Sequence, residues 1–209
     1  MFTDRTQAAI QLAARLVGYR DKNPLILAIP RGAVPMGAII ADKLRGQLDV
    51  VLVRKLRAPR QPELAIGSVN EDGWTYHADF AEIYGGTADY LAVETQRQLE
   101  TIRRRRRQYT PIRSPIAATG RIVIVVDDGL ATGATMISAL NGLRASKPAR
   151  LICAVPVAPP DTLRKVADLA DEVVWLEAPT HFQAVGQFYR DFPQVEDEEV
   201  IEILRSSAA

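Results

Sequence analysis

The stretch IVIVVDDGLATGAT, residues 122–135, constrains the fold more than any other part of the chain. An unbroken apolar run ends on two adjacent carboxylates, Asp127 and Asp128. Such a run reads as a strand buried on both faces, which needs a sheet covered by helices on each side. Small residues follow, two glycines and two threonines among them, and lead into a helical pattern over 134–146. Strand, polar loop and helix start are thus tied together in one short segment.

The rest of the chain supplies neighbours for that strand. Runs at 25–29, 49–56, 150–157 and 172–177 read as strands, and helical spacing covers 4–20, 34–46, 87–109 and 160–169. IGSVNEDGWTYH (66–77) reads as a hairpin turning at Asp72-Gly73, and the Pro-rich, charged RAPRQPELA (57–65) as an exposed loop. PIRSPIAATG (111–120) reads as a connector, and DEEVIEILRS as a terminal helix whose early acids suit its dipole. Strands alternating with helices predict an α/β chain built on a mostly parallel sheet. Ligands bind such sheets beyond the carboxyl ends of the strands, where the strand order reverses. Two polar loops leave strand ends, PRGA after 25–29 and DDGLATGAT after 122–126, so these two strands are expected side by side at the reversal.

Bulk properties narrow the choice of partner. With 209 residues, 47% of them apolar, the chain can bury a sizeable core as one domain. A net charge of +1 offers no overall electrostatic case for nucleic acid or an anionic membrane. The amphipathic start, MFTDRTQAAIQLAARL, lacks the apolar centre of a signal peptide, and no stretch is apolar enough to span a bilayer. The lone Cys153 lies inside RLICAVPV, which excludes an internal disulfide, indicates core packing and fits a reducing cytoplasm.

The loop after Asp128 sets a chemical question. Thr132, Gly133, Ala134 and Thr135 surround a helix start, where free N–H groups and the helix dipole favour a phosphate group. Carboxylates repel phosphate, yet two stand a few residues earlier. As acceptor-only groups they suit the hydroxyls of a diol, or a divalent cation. A phosphorylated sugar meets both demands. A Walker loop would need Gly-Lys-Ser/Thr and a dinucleotide site G-x-G-x-x-G; neither is present. A receiver-like acid pair would leave TGAT unexplained.

VIVVDDGLATGAT resembles the 5-phosphoribosyl-1-pyrophosphate (PRPP) motif of the type I phosphoribosyltransferases. ILAIPRGAVPMG is similar to the family's pyrophosphate loop, and VVLVRKL to the strand that follows, with basic residues at its tip. The resemblance implies a three-layer α/β/α sandwich of sheet order 3-2-1-4-5-6, strand 3 antiparallel, with a small hood. The chain would be a single domain over 1–209, its strands 1 to 6 being 25–29, 50–55, 66–70, 122–126, 150–156 and 172–177. It also implies a mobile loop at about 57–65 and a hood formed mainly by about 177–195. By the same likeness the activity is transfer of a 5-phosphoribosyl group from PRPP to a nitrogenous acceptor, a nucleobase being expected, with Mg²⁺ as cofactor. The alternative is a PRPP- or nucleotide-sensing regulator that binds nucleic acid.

Site roles follow residue by residue. Asp127 and Asp128 would hold the ribose hydroxyls and Mg²⁺. Gly129, Ala131, Thr132, Gly133, Ala134 and Thr135 would bind PRPP, the last four cradling its 5-phosphate. Arg31 and Gly32, in a loop where the family often carries a cis peptide, would hold pyrophosphate. Arg54 and Lys55 would join them, Lys55 foremost, since alternation along a strand points one of the two inward. Arg57, Arg60 and Glu63 are candidates to enter from the loop. Phe182 would stack on the acceptor, with Asp191 near it, although no lysine stands before strand 6 to read a purine 6-oxo group. Trp175 and Phe188 read as packing residues, and His77 and His181 as structural or surface. Arg103–Arg107 reads as a solvated helix or subunit contact, since consecutive residues point all round a helix. A cytoplasmic homo-oligomer is expected, with no membrane or nucleic-acid partner.

Overall fold

The computed structural model describes residues 1–109 and 115–207. Of the expected connector 111–120, residues 111–114 lie outside the described ones. Five parallel strands form the centre: β1 (Leu25–Ala28), β2 (Gln47–Val50), β6 (Ile122–Val126), β7 (Arg150–Val157) and β8 (Glu172–Glu177), in the order β2-β1-β6-β7-β8. This is the expected 2-1-4-5-6, and the two loop-bearing strands are neighbours, with Ala28 opposite Val126.

Alternation divides the core in two. Ile26, Ala28, Ile124, Val126, Ile152 and Ala154 face one side, packed with α1 (Arg5–Arg15), α2 (Val34–Leu44) and α6 (Asp197–Ser206). Leu25, Leu27, Val123, Val125, Leu151 and Cys153 face the other, beneath α4 (Ala134–Ala145) and α5 (Pro160–Ala167). A strand apolar at every position is what two covered faces require. Cys153 is fully buried, as a core residue should be. Asp4 opens α1 by accepting the Gln7 N–H at 2.8 Å, which fits its place in the sequence.

The second expected strand is not continuous. It leaves the sheet after Val50 and resumes as β3 (Val53–Ala58), which pairs antiparallel with β4 (Gln61–Asn70), and β4 with β5 (Thr75–His77). Antiparallel strand 3 is thus where it was expected, beside strand 2, but within a separate three-stranded sheet. The Asp72-Gly73 turn forms, with Gly73 at φ 88°. Residues 57–65 are not the loop that composition suggested; they are the end of a hairpin closed between Ala58 and Gln61, with register shifts around Arg57. Pro62 lies in the irregular part, where a ladder tolerates a missing donor. A long helix, α3 (Ala88–Tyr109), packs against β3 and β4.

Candidate functional site

Beyond the carboxyl ends of β1 and β6 lies a cleft of about 360 Å³. Every residue of the expected sugar-phosphate and pyrophosphate sites lines it: Arg31, Gly32, Arg54, Lys55, Asp127, Asp128, Gly129, Ala131, Thr132, Gly133, Ala134 and Thr135. They come from three places. The PRG loop leaves β1, the acid loop leaves β6, and the cations ride on β3.

The acid loop is anchored from behind. Leu130 N donates to Val157 O at 2.9 Å, and Thr162 of α5 donates its hydroxyl to Ala131 O at 2.7 Å. Gly133 then turns the chain into α4 at φ 77°, a conformation that favours glycine. Gly133 has no side chain to cap α4, and Thr132 Oγ1 reaches Ala134 N only at 3.5 Å. The first-turn N–H groups of α4 are therefore open to an anion. Ser68 of β4 donates to Ala134 O at 2.7 Å, so the small sheet braces this helix start.

The two acids differ. Asp127 accepts the backbone N–H of Asp128 at 2.9 Å. Burial, then the neighbouring Asp128 charge, holds the Asp127 carboxyl well above the usual carboxylate range, against the pull of Lys55. Asp128 has a counterion: Arg5 Nε and Nη2 both donate to its Oδ2, at 3.0 and 2.9 Å. Burial raises the Asp128 carboxyl as well, and Arg5 opposes that rise. The peptide bond between Pro30 and Arg31 is cis, in keeping with the loop's resemblance. A Cβ on Gly32 would stand 2.1 Å from Asp128 Oδ2, so the PRG loop and the acid loop meet with no room for a side chain.

Cations crowd the opposite wall. Arg31, Arg54, Lys55, Arg57 and Arg105 line the cleft. Arg54 is bonded to Gln98 Oε1 at 3.1 Å, and burial, followed by Arg105 and Arg57, makes its proton easier to lose. Crowded like charges of this kind favour a polyanion. Arg31 also pairs with the exposed Glu196 at 2.8 Å. Sequence reasoning gave Arg57 a part and missed Arg105. In the run Arg103–Arg107, Arg105 faces the cleft and Arg106 bonds Glu71 at 2.7 Å, so the run is not uniformly solvated. Five identical residues hide the helical contrast that would mark the inner face.

The hood segment sits differently from the cleft wall. Val185 lines the cleft, whereas Phe182 is half-buried against Phe188, ring centroids 5.1 Å apart, and Asp191 is exposed. Phe188 packs as expected. Trp175 does not: it is 43% exposed on β8, because its neighbours Val174 and Leu176 take the inward positions. His77 and His181 are both at the surface.

Comparison with known proteins adds the following. The family described as "Phosphoribosyl transferase domain" matches residues 2–193. Two Mycobacterium tuberculosis proteins, from strains H37Rv and CDC 1551 / Oshkosh, are 42% identical over 207 residues and are described provisionally as phosphoribosyl transferases. The match takes in 98% of this chain but 46% of theirs, so the chain spans about half the length of these curated relatives. A crystal structure of TT1426 from Thermus thermophilus is 42% identical, with a TM-score of 0.83, and covers 100% of this chain and 99% of that one.

Proposed function

The chain belongs to the phosphoribosyl transferase family, and from that premise we propose that it moves the 5-phosphoribosyl group of PRPP to a nucleobase or related nitrogenous acceptor, releasing pyrophosphate. One observation carries the reading: an uncapped helix start, an acid pair and a cationic wall converge on one cleft. The α4 start with Thr132 and Thr135 holds the 5-phosphate. Asp127 and Asp128 accept the ribose hydroxyls. Arg31, the Gly32 backbone, Arg54 and Lys55 hold the pyrophosphate, and Phe182 and Asp191 meet the acceptor from the hood.

Mg²⁺ fits this donor set, since it is commonly bound by one or two carboxylates together with substrate phosphates. The crowded charge of Asp127 beside Asp128 is what such an ion would offset. When bound, it would neutralise charge on the departing pyrophosphate. The chain's own part is positioning and electrostatics. As pyrophosphate leaves, negative charge collects where the β3 cations stand, and preorganised charges there stabilise the transition state. A fixed ribose presents its C1 to the acceptor nitrogen. The proposal includes a cytoplasmic homo-oligomer, which the resemblance and the single buried thiol favour.

The test is pyrophosphate release from PRPP and Mg²⁺ across a panel of nucleobases, with PRPP affinity measured alongside. At least one base should support release. Lys55→Ala should lose far more turnover than affinity, because its charge acts mainly on the departing group, while Asp128→Asn should lose both. The rival is a PRPP-dependent binder of nucleic acid. Two of the five arginines that suggested it are turned inward. No release with any base, together with a PRPP-dependent affinity for RNA or DNA, would establish that rival instead.

We also propose that the β3–β4 hairpin end, about 57–65, closes over bound PRPP to keep water from the reacting sugar. Arg57 and Tyr90 bridge it to α3, the Tyr90 hydroxyl donating to Arg57 O at 2.7 Å. Amide exchange across 57–65 should slow when PRPP–Mg²⁺ is added. Equal exchange in both states means there is no closure.

A further inference from the structure

We propose that Arg5 is a positioning residue for the acid pair: it fixes Asp128 so that one carboxylate oxygen is left for the sugar. This rests on the sugar-phosphate reading of the cleft. Both guanidinium bonds go to the same oxygen, Oδ2, at 3.0 and 2.9 Å. Among the described residues, no hydrogen bond from another residue reaches the second oxygen, Oδ1, while Asp128 itself lines the cleft. The remaining arm of Arg5, Nη1, donates to Pro193 O at 2.7 Å. The guanidinium lies over the Phe192 ring, 3.8 Å from its centroid, and the Arg5 side chain is 11% exposed.

Local chemistry does not explain an arginine here. Residue 5 opens α1, where the helix dipole disfavours a cation and where Asp4 already serves as the cap. A residue that breaks a local preference and is then held by three separate partners marks a functional constraint. The setting is built around Asp128. Tyr189 donates its hydroxyl to Asp128 O at 2.7 Å and stacks on Phe192. The absent Cβ of Gly32 leaves space for Oδ2 on the remaining side, and that Cβ would also stand 3.1 Å from Arg5 Nη2. The first residues of the chain are stitched to the same segment, Phe2 N to Phe188 O at 2.7 Å and Asp191 N to Thr3 O at 2.9 Å. Arg5 at the start of α1 thus grips the carboxylate, while Tyr189, Phe192 and Pro193 hold Arg5 and the Asp128 backbone in place.

The test compares two ligands, ribose 5-phosphate and its 2,3-dideoxy counterpart, by calorimetry with wild type, Arg5→Met and Arg5→Lys. Wild type should prefer the hydroxylated sugar. Arg5→Met should lose about tenfold affinity for it, the scale of one charge-assisted hydrogen bond, and keep its affinity for the dideoxy sugar. Arg5→Lys keeps the charge without the fork and should show a smaller loss, again confined to the hydroxylated ligand. Should Arg5→Met fail to fold by thermal unfolding, Arg5→Lys decides alone. A loss shared by both sugars, or by neither, overturns the positioning role. Equal wild-type affinity for the two sugars overturns the reading of the cleft itself.

Discussion

Gly32→Ala should weaken PRPP binding and cost about a hundredfold in turnover while leaving the fold intact. The added Cβ lands 2.1 Å from Asp128 Oδ2, an oxygen that Arg5 grips with two bonds. A carboxylate at the end of a free side chain would swing aside at little cost. This one is hemmed in, so either the PRG loop or Asp128 shifts by about an ångström. Misplacement on that scale costs about a hundredfold in a preorganised site. Gly32 has no positive φ to forbid alanine, so the effect is steric and local. Gly18→Ala is the control, since nothing lies within 4 Å of its missing Cβ. Calorimetry with PRPP–Mg²⁺ reads the difference. Equal affinity in the two variants would show that the cleft has slack that the contact distances do not.

Asp127→Asn should raise the melting temperature of the ligand-free protein and remove its activity. Burial and the adjacent Asp128 raise the folded-state pKa of Asp127 above its ordinary value. A folded state that holds a proton more tightly than the unfolded one loses stability as pH rises from the unfolded pKa through the folded one. That loss builds up as pH rises above the unfolded pKa, and asparagine removes it while still accepting the Asp128 N–H. Each kcal/mol of relief appears as roughly 2–4 °C for a chain of this size. The advantage over wild type should shrink as the pH falls, because the wild-type carboxyl then takes up its proton. Turnover should drop by about a hundredfold or more, as on loss of a charge aimed at the reacting sugar. Scanning calorimetry at several pH values, beside pyrophosphate release, checks both halves. A lower melting temperature at pH 7 would mean that a cation or a bond outweighs the like-charge cost.

Local signals made much of this legible. The apolar run 122–126, its acids and its small residues predicted a buried strand, a polar loop and a helix start, because each depends on near neighbours. The same held for β1 with PRG and for the Asp72-Gly73 turn. The misreadings have a common cause. Residues 57–65 carry prolines and charges that suit a loop, but pairing with the other arm of the hairpin holds them in strands. The apolar run 49–56 gave no sign of the break after Val50, since both halves stay buried through Leu52. Arg105 was hidden by identical neighbours, and Arg5 by 123 residues of separation from Asp128. Contacts across such spans leave no periodicity to read.

The break at Val51 and Leu52 separates two kinds of work. The acids and the start of α4 follow β6, a strand whose register is fixed by β1 on one side and β7 on the other. Lys55 and Arg54 belong to a hairpin outside the parallel sheet, joined to it through Val51 and Leu52 and steadied by α3 and by the Ser68 bond to the start of α4. Under the proposed function, substitutions at the far end of the hairpin should therefore alter the grip on pyrophosphate more than the recognition of the sugar.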